Sequence, residues 1–187
     1  VDIGGGTADI AVISLAGSVR SVNLKIAGDK FNTDIIGYLR DEFKLLIGEK
    51  TAESVKIAIG SVAPGEPMEA EVRGRDLVTG LPREVVITDA DIREAMGQSI
   101  LGLIDGIKEV LETTPPEILG DIMNRGIVLS GGGAMLHGLD TLLSNMLKIP
   151  VTVTEDPLTA VARGAGIVLE DINYYKEVLL PDYDTER

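Results

Sequence analysis

Asp2-Ile3-Gly4-Gly5-Gly6-Thr7-Ala8-Asp9 and, far downstream, Ser130-Gly131-Gly132-Gly133-Ala134 are the stretches whose reading decides the fold of this 187-residue chain. Each places three glycines where an apolar strand ends: Val1-Asp2-Ile3 before the first, Ile127-Val128-Leu129 before the second. Consecutive glycines accept positive backbone dihedrals and leave their N–H groups unshielded. A row of such N–H groups makes a concavity suited to an anion such as phosphate. The second cluster also precedes a helical pattern, whose N-terminus adds partial positive charge. Two tight turns would use the same residues, but a pair, both at strand ends, favours phosphate loops. Neither is a Walker A loop, because no Gly-Lys-Ser/Thr follows, and neither has the spacing of the dinucleotide fingerprint. Asp2, two residues ahead of the first cluster, is either a turn carboxylate or an acid that holds Mg²⁺ through water. Val1-Asp2-Ile3 reads as the end of a strand that begins upstream, so a portion of a longer protein is expected.

Working outward, Asp9–Ile13 and Ser21–Ile26 read as the strands of a hairpin turning at Ala16-Gly17-Ser18. From Asp29 the period changes. Phe31, Ile35, Leu39, Phe43 and Leu46 predict one helical face ending at Gly48. A shorter helix is expected over Thr51–Ile59, then a loop over 60–67. Met68, Ala70 and Val72 alternate with charges, and Val85-Val86-Ile87 supplies a partner strand across a turn at Thr79–Pro82. Thr88 and Asp91 form a capping box for a long helix whose stripe is Ile92, Met96, Ile100, Leu103, Ile107 and Val110. Gly97, Gly102 and Gly106 weaken it and point to close approach of a neighbour. Thr114, Pro115 and Glu117 predict the start of the next helix.

Ile127-Val128-Leu129, wholly apolar, predicts a strand buried on both faces. A helix through Leu139, Leu142, Leu143 and Met146 follows, then a strand over Val151–Thr154. Asp156-Pro157 opens a last core helix through Leu158, Val161, Ala162, Ala165, Val168 and Leu169. The order predicts an α/β fold, with residues 28–90 a small subdomain inserted into a larger one. The tail 171–187 is acidic.

Charge and composition narrow the function classes. The net charge of −13, from 30 acidic and 17 basic residues, lacks the basic stripe of a nucleic-acid binder. Cysteine is absent, which excludes disulfides and zinc–thiolate sites. No apolar run reaches the length of a membrane span. Aromatics are only 3% of the chain, so the core must be aliphatic.

The first glycine stretch resembles the second phosphate loop of the actin, heat-shock-chaperone and sugar-kinase superfamily. The second resembles its adenosine loop. Further stretches are similar to the bacterial rod-shape actins of the MreB type: Ile26–Asp29, Ile47–Glu53, Val72–Arg83, Thr113–Glu117 and Glu155–Gly164. The likeness covers residues 1–170. It implies the second half of an actin-like ATPase fold, with an RNase H-like subdomain IIA at 1–27 and 91–170 and an α+β subdomain IIB at 28–90.

By resemblance, Asp2 faces Mg²⁺ and, with Thr7, the chemical step. Gly4, Gly5, Gly6 and Thr7 face the β- and γ-phosphates of ATP. Glu53 and Lys56 flank the nucleoside, where the residues alone would favour a solvated i,i+3 pair. Gly131, Gly132, Gly133 and Ala134 lie along the adenosine. Ala8 departs from the family, which often has a second threonine there. His137 reads as a surface-loop histidine. The family implies cytoplasmic filaments associated with the membrane, self-assembly, and work with the cell-wall elongation machinery at the inner membrane. Nucleic acid is not an expected partner. A chaperone ATPase half, a sugar or acetate kinase half, and a nucleotide-sensing structural protein with negligible turnover are the competing readings.

Overall fold

The computed structural model describes residues 1–14 and 17–175. Ala16 of the expected hairpin turn and most of the acidic tail lie outside them. Three strands, β1 (Asp2–Ile3), β2 (Ala8–Ser14) and β3 (Gly17–Leu24), form an antiparallel meander. Along β2, Ala8, Ile10 and Val12 are buried while Asp9, Ala11 and Ile13 are exposed, the two-residue period of a strand with one covered face. The segment 28–88 contributes α1 (Gly28–Glu42), β4 (Leu45–Leu46), α2 (Glu49–Ile59), β5 (Glu69–Asp76) and β6 (Pro82–Thr88). Its sheet has the order β4-β5-β6 and is antiparallel throughout. Beyond it come α3 (Asp89–Glu112), α4 (Pro116–Arg125), β7 (Ile127–Leu129), α5 (Leu139–Leu147), β8 (Val151–Val153) and α6 (Ala160–Glu170).

β7 pairs in parallel with β8, and a parallel bridge from Asp2 to Ser130 couples that pair to β1. The Ile3 N–H donates to the Ser130 carbonyl at 2.8 Å, and the Ser130 N–H to the Val1 carbonyl at 2.9 Å. The ends of β1 and β7, and so both glycine clusters, therefore lie side by side.

The helix α3 rests on its predicted cap. Thr88 accepts from the Asp91 N–H, and the Asp91 carboxylate accepts from the Thr88 N–H at 2.8 Å. Ile92, Met96, Ile100, Leu103, Ile107 and Val110 are no more than 4% exposed. Their burial contributes roughly 9–18 kcal/mol gross, at about 1.5–3 per side chain. That outweighs three interior glycines at about 1 kcal/mol each. Gly102 and Gly106 have the expected use: a Cβ there would stand 2.8 Å from Ile26 and 2.4 Å from Leu24. Gly97 meets nothing within 4 Å.

Four expectations are corrected. The helix predicted through Leu46 stops at Glu42, because Lys44 takes a positive φ of 52° and Leu45-Leu46 pair with Asp76 and Arg75 instead. Gly74 permits that pairing, since a Cβ there would lie 2.5 Å from the Leu46 carbonyl. Thr114 does not cap α4; its hydroxyl donates back to the Val110 carbonyl at 2.7 Å, and Pro115 occupies the cap position. β7 is buried on one face only, with Val128 open to an apolar groove it shares with Ile10, Ile13, Ile118 and Ile122. Finally, α6 is not a core helix. None of its residues is buried, and Leu158 and Val161 are more than 60% exposed. Its apolar stripe is real, but no element among the described residues covers it.

Candidate functional site

A cavity of about 850 Å³ opens where the two glycine clusters meet the insertion. Asp2, Gly4 and Gly5 form one wall, Gly131, Gly132 and Gly133 a second, and Asp29, Glu53 and Lys56 a third. The first cluster is closed into a turn by the Gly4 N–H, which donates to the Thr7 carbonyl at 3.0 Å. No neighbour demands glycine at its tip. A Cβ on Gly5 or Gly6 would come no nearer than 3.8 Å to anything, and neither residue has a positive φ. Their N–H groups reach no acceptor among the described residues.

The second cluster divides its labour. Gly131, at φ 80° and ψ 169°, occupies a region essentially reserved for glycine, and a Cβ there would stand 2.3 Å from the Ile3 carbonyl oxygen. A Cβ on Gly133 would meet the Ile3 side chain at 2.2 Å. These two glycines let the loop lie flat on β1. Gly132 between them is exposed, faces the cavity, and meets only the tip of Leu158 at 3.3 Å. It opens a 3₁₀ turn, Gly132–Met135, that precedes α5.

Glu53 and Lys56 form a clasp in which the lysine is covered and the glutamate is about half exposed. The Lys56 side chain is 10% exposed; its ammonium donates to Glu53 Oε2 at 2.7 Å and to the Gly28 carbonyl at 3.1 Å. Asn32 Nδ2 donates to the same Glu53 Oε2 at 2.6 Å. The hydrogen bond from Lys56 is the largest influence holding the Glu53 carboxyl below the usual range; partial burial opposes it, and the Asn32 amide assists. Gly28 reaches the first glycine loop in turn. Its N–H donates to the Gly4 carbonyl at 3.1 Å, and the Asp29 N–H to the Gly5 carbonyl at 2.8 Å. One chain of hydrogen bonds thus runs from α2 through Gly28 to the loop.

Asp2 Oδ1 accepts from the Ser130 hydroxyl at 2.8 Å, which ties the two loops together. Its second oxygen has no partner among the described residues, where no cluster of three or more metal-ligating side chains occurs. Such a donor set fits Mg²⁺, which keeps its waters and is held by one or two carboxylates plus phosphate oxygens. It does not fit an ion caged by protein alone.

Gly6, Thr7 and Ala134 do not line the cavity. The Thr7 hydroxyl donates to Asp9 at 3.3 Å, and Ala134 is buried beneath its loop. Several wall residues were given no role at the site by the sequence: Asp29, Pro157, Leu158 and Val161, together with the exposed His137. Asp29 had a signal, an acid opening a helix just past a glycine. Pro157 had none, since what places it is its carbonyl, which accepts from the Gly131 N–H at 2.9 Å.

Two glycine loops at one end of a mixed sheet, with α1 and α2 lining the cavity beside them, define the second half of an actin-like fold. The sequence profile of the MreB/Mbl protein family matches residues 1–177, and the chain belongs to that family. It is 51% identical over 174 residues to the cell shape-determining protein Mbl of Bacillus cereus, covering 92% of this chain and 52% of that protein. It is 49% identical over 176 residues to the cell shape-determining protein MreB of Escherichia coli, covering 94% and 51%. The crystal structure of MreB 5 of Spiroplasma citri bound to AMPPNP superposes with a TM-score of 0.90 at 40% identity, covering 94% of this chain and 53% of that one. The MamK double helical filament gives 0.77 at 25% identity, covering 91% and 53%. The chain spans about half the length of the curated relatives it matches.

Proposed function

We propose that this chain is the second half of an ATP-binding, filament-forming actin homologue that determines rod cell shape by organising cell-wall synthesis at the membrane. The observation that carries this is the convergence of Asp2, Gly4, Gly5, Gly131, Gly132, Gly133, Glu53 and Lys56 on one cavity. The AMPPNP carried by the Spiroplasma citri relative supports a nucleotide as its occupant. Backbone N–H groups at Gly5 and Gly6 donate to the terminal phosphates, with Thr7 next to them. Gly132 admits the adenosine against a surface without side chains, while Gly131, Gly133 and Ala134 hold that surface in place. Glu53 and Lys56 flank the nucleoside.

Asp2 orients the waters of a phosphate-bound Mg²⁺, an ion that would supply charge neutralisation on the transferred phosphoryl group. Wall acids outnumber free cations: Lys56 is already paired with Glu53, and Asp2 and Asp29 are negative. Anion affinity therefore rests on backbone dipoles and on a metal, as in a site that takes a metal–nucleotide complex. Subdomain IIA at 1–27 and 91–170 carries the loops, and IIB at 28–90 closes over them. The other half of the protein supplies the opposite wall of the cleft. The exposed apolar stripe of α6 is consistent with such a wall.

Filaments of the full-length protein would be cytoplasmic and membrane-associated, in contact with the wall-elongation machinery. Among the described residues no helix is long and apolar enough to cross a membrane. The test is sedimentation of the full-length protein with and without ATP, beside phosphate release. Filaments that pellet with ATP and slow turnover are expected. A protein that stays monomeric at high concentration across salt conditions would favour a chaperone or kinase half.

A further inference from the structure

Asn32 is only 6% exposed, and its amide is spent in an unusual way. Nδ2 donates at 2.6 Å to Glu53 Oε2, the oxygen that Lys56 already occupies at 2.7 Å. Its own Oδ1 is buried and has no partner. A buried carbonyl without a donor is destabilising, and such a group in a folded protein calls for an explanation. Packing alone does not supply one, since an apolar side chain with the same branching would leave no unpaired oxygen.

The effect on Glu53 supplies it. Two donors on Oε2 fix the carboxylate from two sides, one on α1 and one on α2. Glu53 lies on the cavity wall, and its Oε1 has no partner among the described residues. Lys56 is itself held by the Gly28 carbonyl, and the Asn32 amide adds a second donor from a different helix.

We propose that Asn32 is a positioning residue for nucleotide specificity: it locks Glu53 so that Oε1 stands ready to accept a hydrogen bond from a sugar hydroxyl. This rests on the reading of the cavity as a nucleotide site. A preorganised acceptor discriminates more sharply than a mobile one, because the hydroxyl-free analogue leaves it unpaired and unable to turn away.

The experiment compares ATP with 2′-deoxy-ATP and 3′-deoxy-ATP in calorimetric titrations of the full-length protein. Wild type, Asn32→Leu, Asn32→Ala, Glu53→Ala and the double variant Asn32→Leu/Glu53→Ala are needed. Wild type should prefer ATP over one of the deoxy nucleotides by about tenfold or more, and Glu53→Ala should abolish that preference. Asn32→Leu should reduce the preference to about twofold. Added to Glu53→Ala it should change nothing further, the non-additivity expected of two residues that act as one unit. Asn32→Ala, should Asn32→Leu not fold, must show the same loss of preference. A merely structural asparagine would lower affinity for all three nucleotides equally and leave the ratio intact. That result, with Glu53→Ala still removing the preference, would overturn the role of Asn32 while leaving the site in place. Unchanged ATP binding and unchanged preference in Glu53→Ala would overturn the nucleotide site and this inference with it.

Discussion

Replacing one glycine at a time in Gly131-Gly132-Gly133 should separate what the fold requires from what the ligand requires. At Gly133 a Cβ would sit 2.2 Å from Ile3 Cγ2 and 2.8 Å from Ile3 Cβ, and Ile3 is fully buried. Overpacking of that kind costs about 1–3 kcal/mol. For a chain of this size that is about 2–4 °C in melting temperature per kcal/mol, so Gly133→Ala should melt roughly 2–12 °C lower. Gly131→Ala should fall in the same range, because the residue combines φ 80° with a contact 2.3 Å from the Ile3 carbonyl.

Gly132→Val is different. Its Cβ points into the cavity and meets only the movable end of Leu158 at 3.3 Å. Exposed substitutions of this type stay within about 0.5 kcal/mol, so the melting temperature should hold within about 2 °C. The valine methyls would occupy the space against which the adenosine lies, and ATP affinity should drop at least about tenfold, or 1.4 kcal/mol. Calorimetric ATP titration beside thermal unfolding of all three full-length variants makes the comparison. Normal ATP affinity in Gly132→Val would refute the adenosine-loop assignment. A loss of stability equal to that of Gly133→Ala would refute the claim that Gly132 is spared by the fold.

Asp2→Ala should reduce Mg²⁺-dependent phosphate release far more than ATP binding; normal turnover would place the metal elsewhere. The Glu53 carboxyl titrates below its ordinary value in the folded protein, so the native state binds fewer protons than the unfolded chain near that value. The stability it contributes is therefore complete above the ordinary carboxylate range, about pH 4–5, and is lost as pH falls through the depressed pKa. Glu53→Gln should lower stability at neutral pH and flatten that part of the acid limb in pH-dependent urea unfolding; an identical acid limb would show that the clasp is not coupled to folding. The 187-residue chain alone should release phosphate at least about a thousandfold more slowly than the full-length protein, since half the groups that preorganise the phosphates are absent. Comparable turnover in the two would mean that the active site lies within this chain.

Much of the fold was legible because its cues are local. The alternation of Ser21–Leu24 in β3, the capping box at Thr88 and the 3.6-residue stripe of α3 each involve residues within a few positions of one another, and each appears where expected. The misreadings have different causes: Thr114 turns back to a carbonyl four residues away, while the others depend on what lies, or does not lie, far off in sequence. Leu45 and Leu46 continue a helical period on paper, but β5 offers them a sheet edge some thirty residues away, and Gly74 clears the space for it. Val128 and the stripe on α6 are apolar for a partner that local pattern cannot name, so apolarity was taken for burial.

The site obeys the same logic at finer scale. Triple glycine announces two loops, yet composition cannot rank six identical residues by purpose. Only the neighbours do so. Ile3 accounts for Gly131 and Gly133, while nothing among the described residues accounts for Gly5, Gly6 or Gly132. A glycine unexplained by its own fold marks a surface that something else must approach closely. Those three open positions belong to different loops on β1 and β7, and Gly28 adds a third element by bonding both Gly4 and Lys56. A displacement of α2 by a nucleoside lying against Glu53 and Lys56 would therefore pull on the Gly4 carbonyl through a single residue, Gly28. On the proposed reading, the parts that meet nucleoside and phosphate would be joined by one chain of hydrogen bonds running from Glu53 and Lys56 through Gly28 to Gly4.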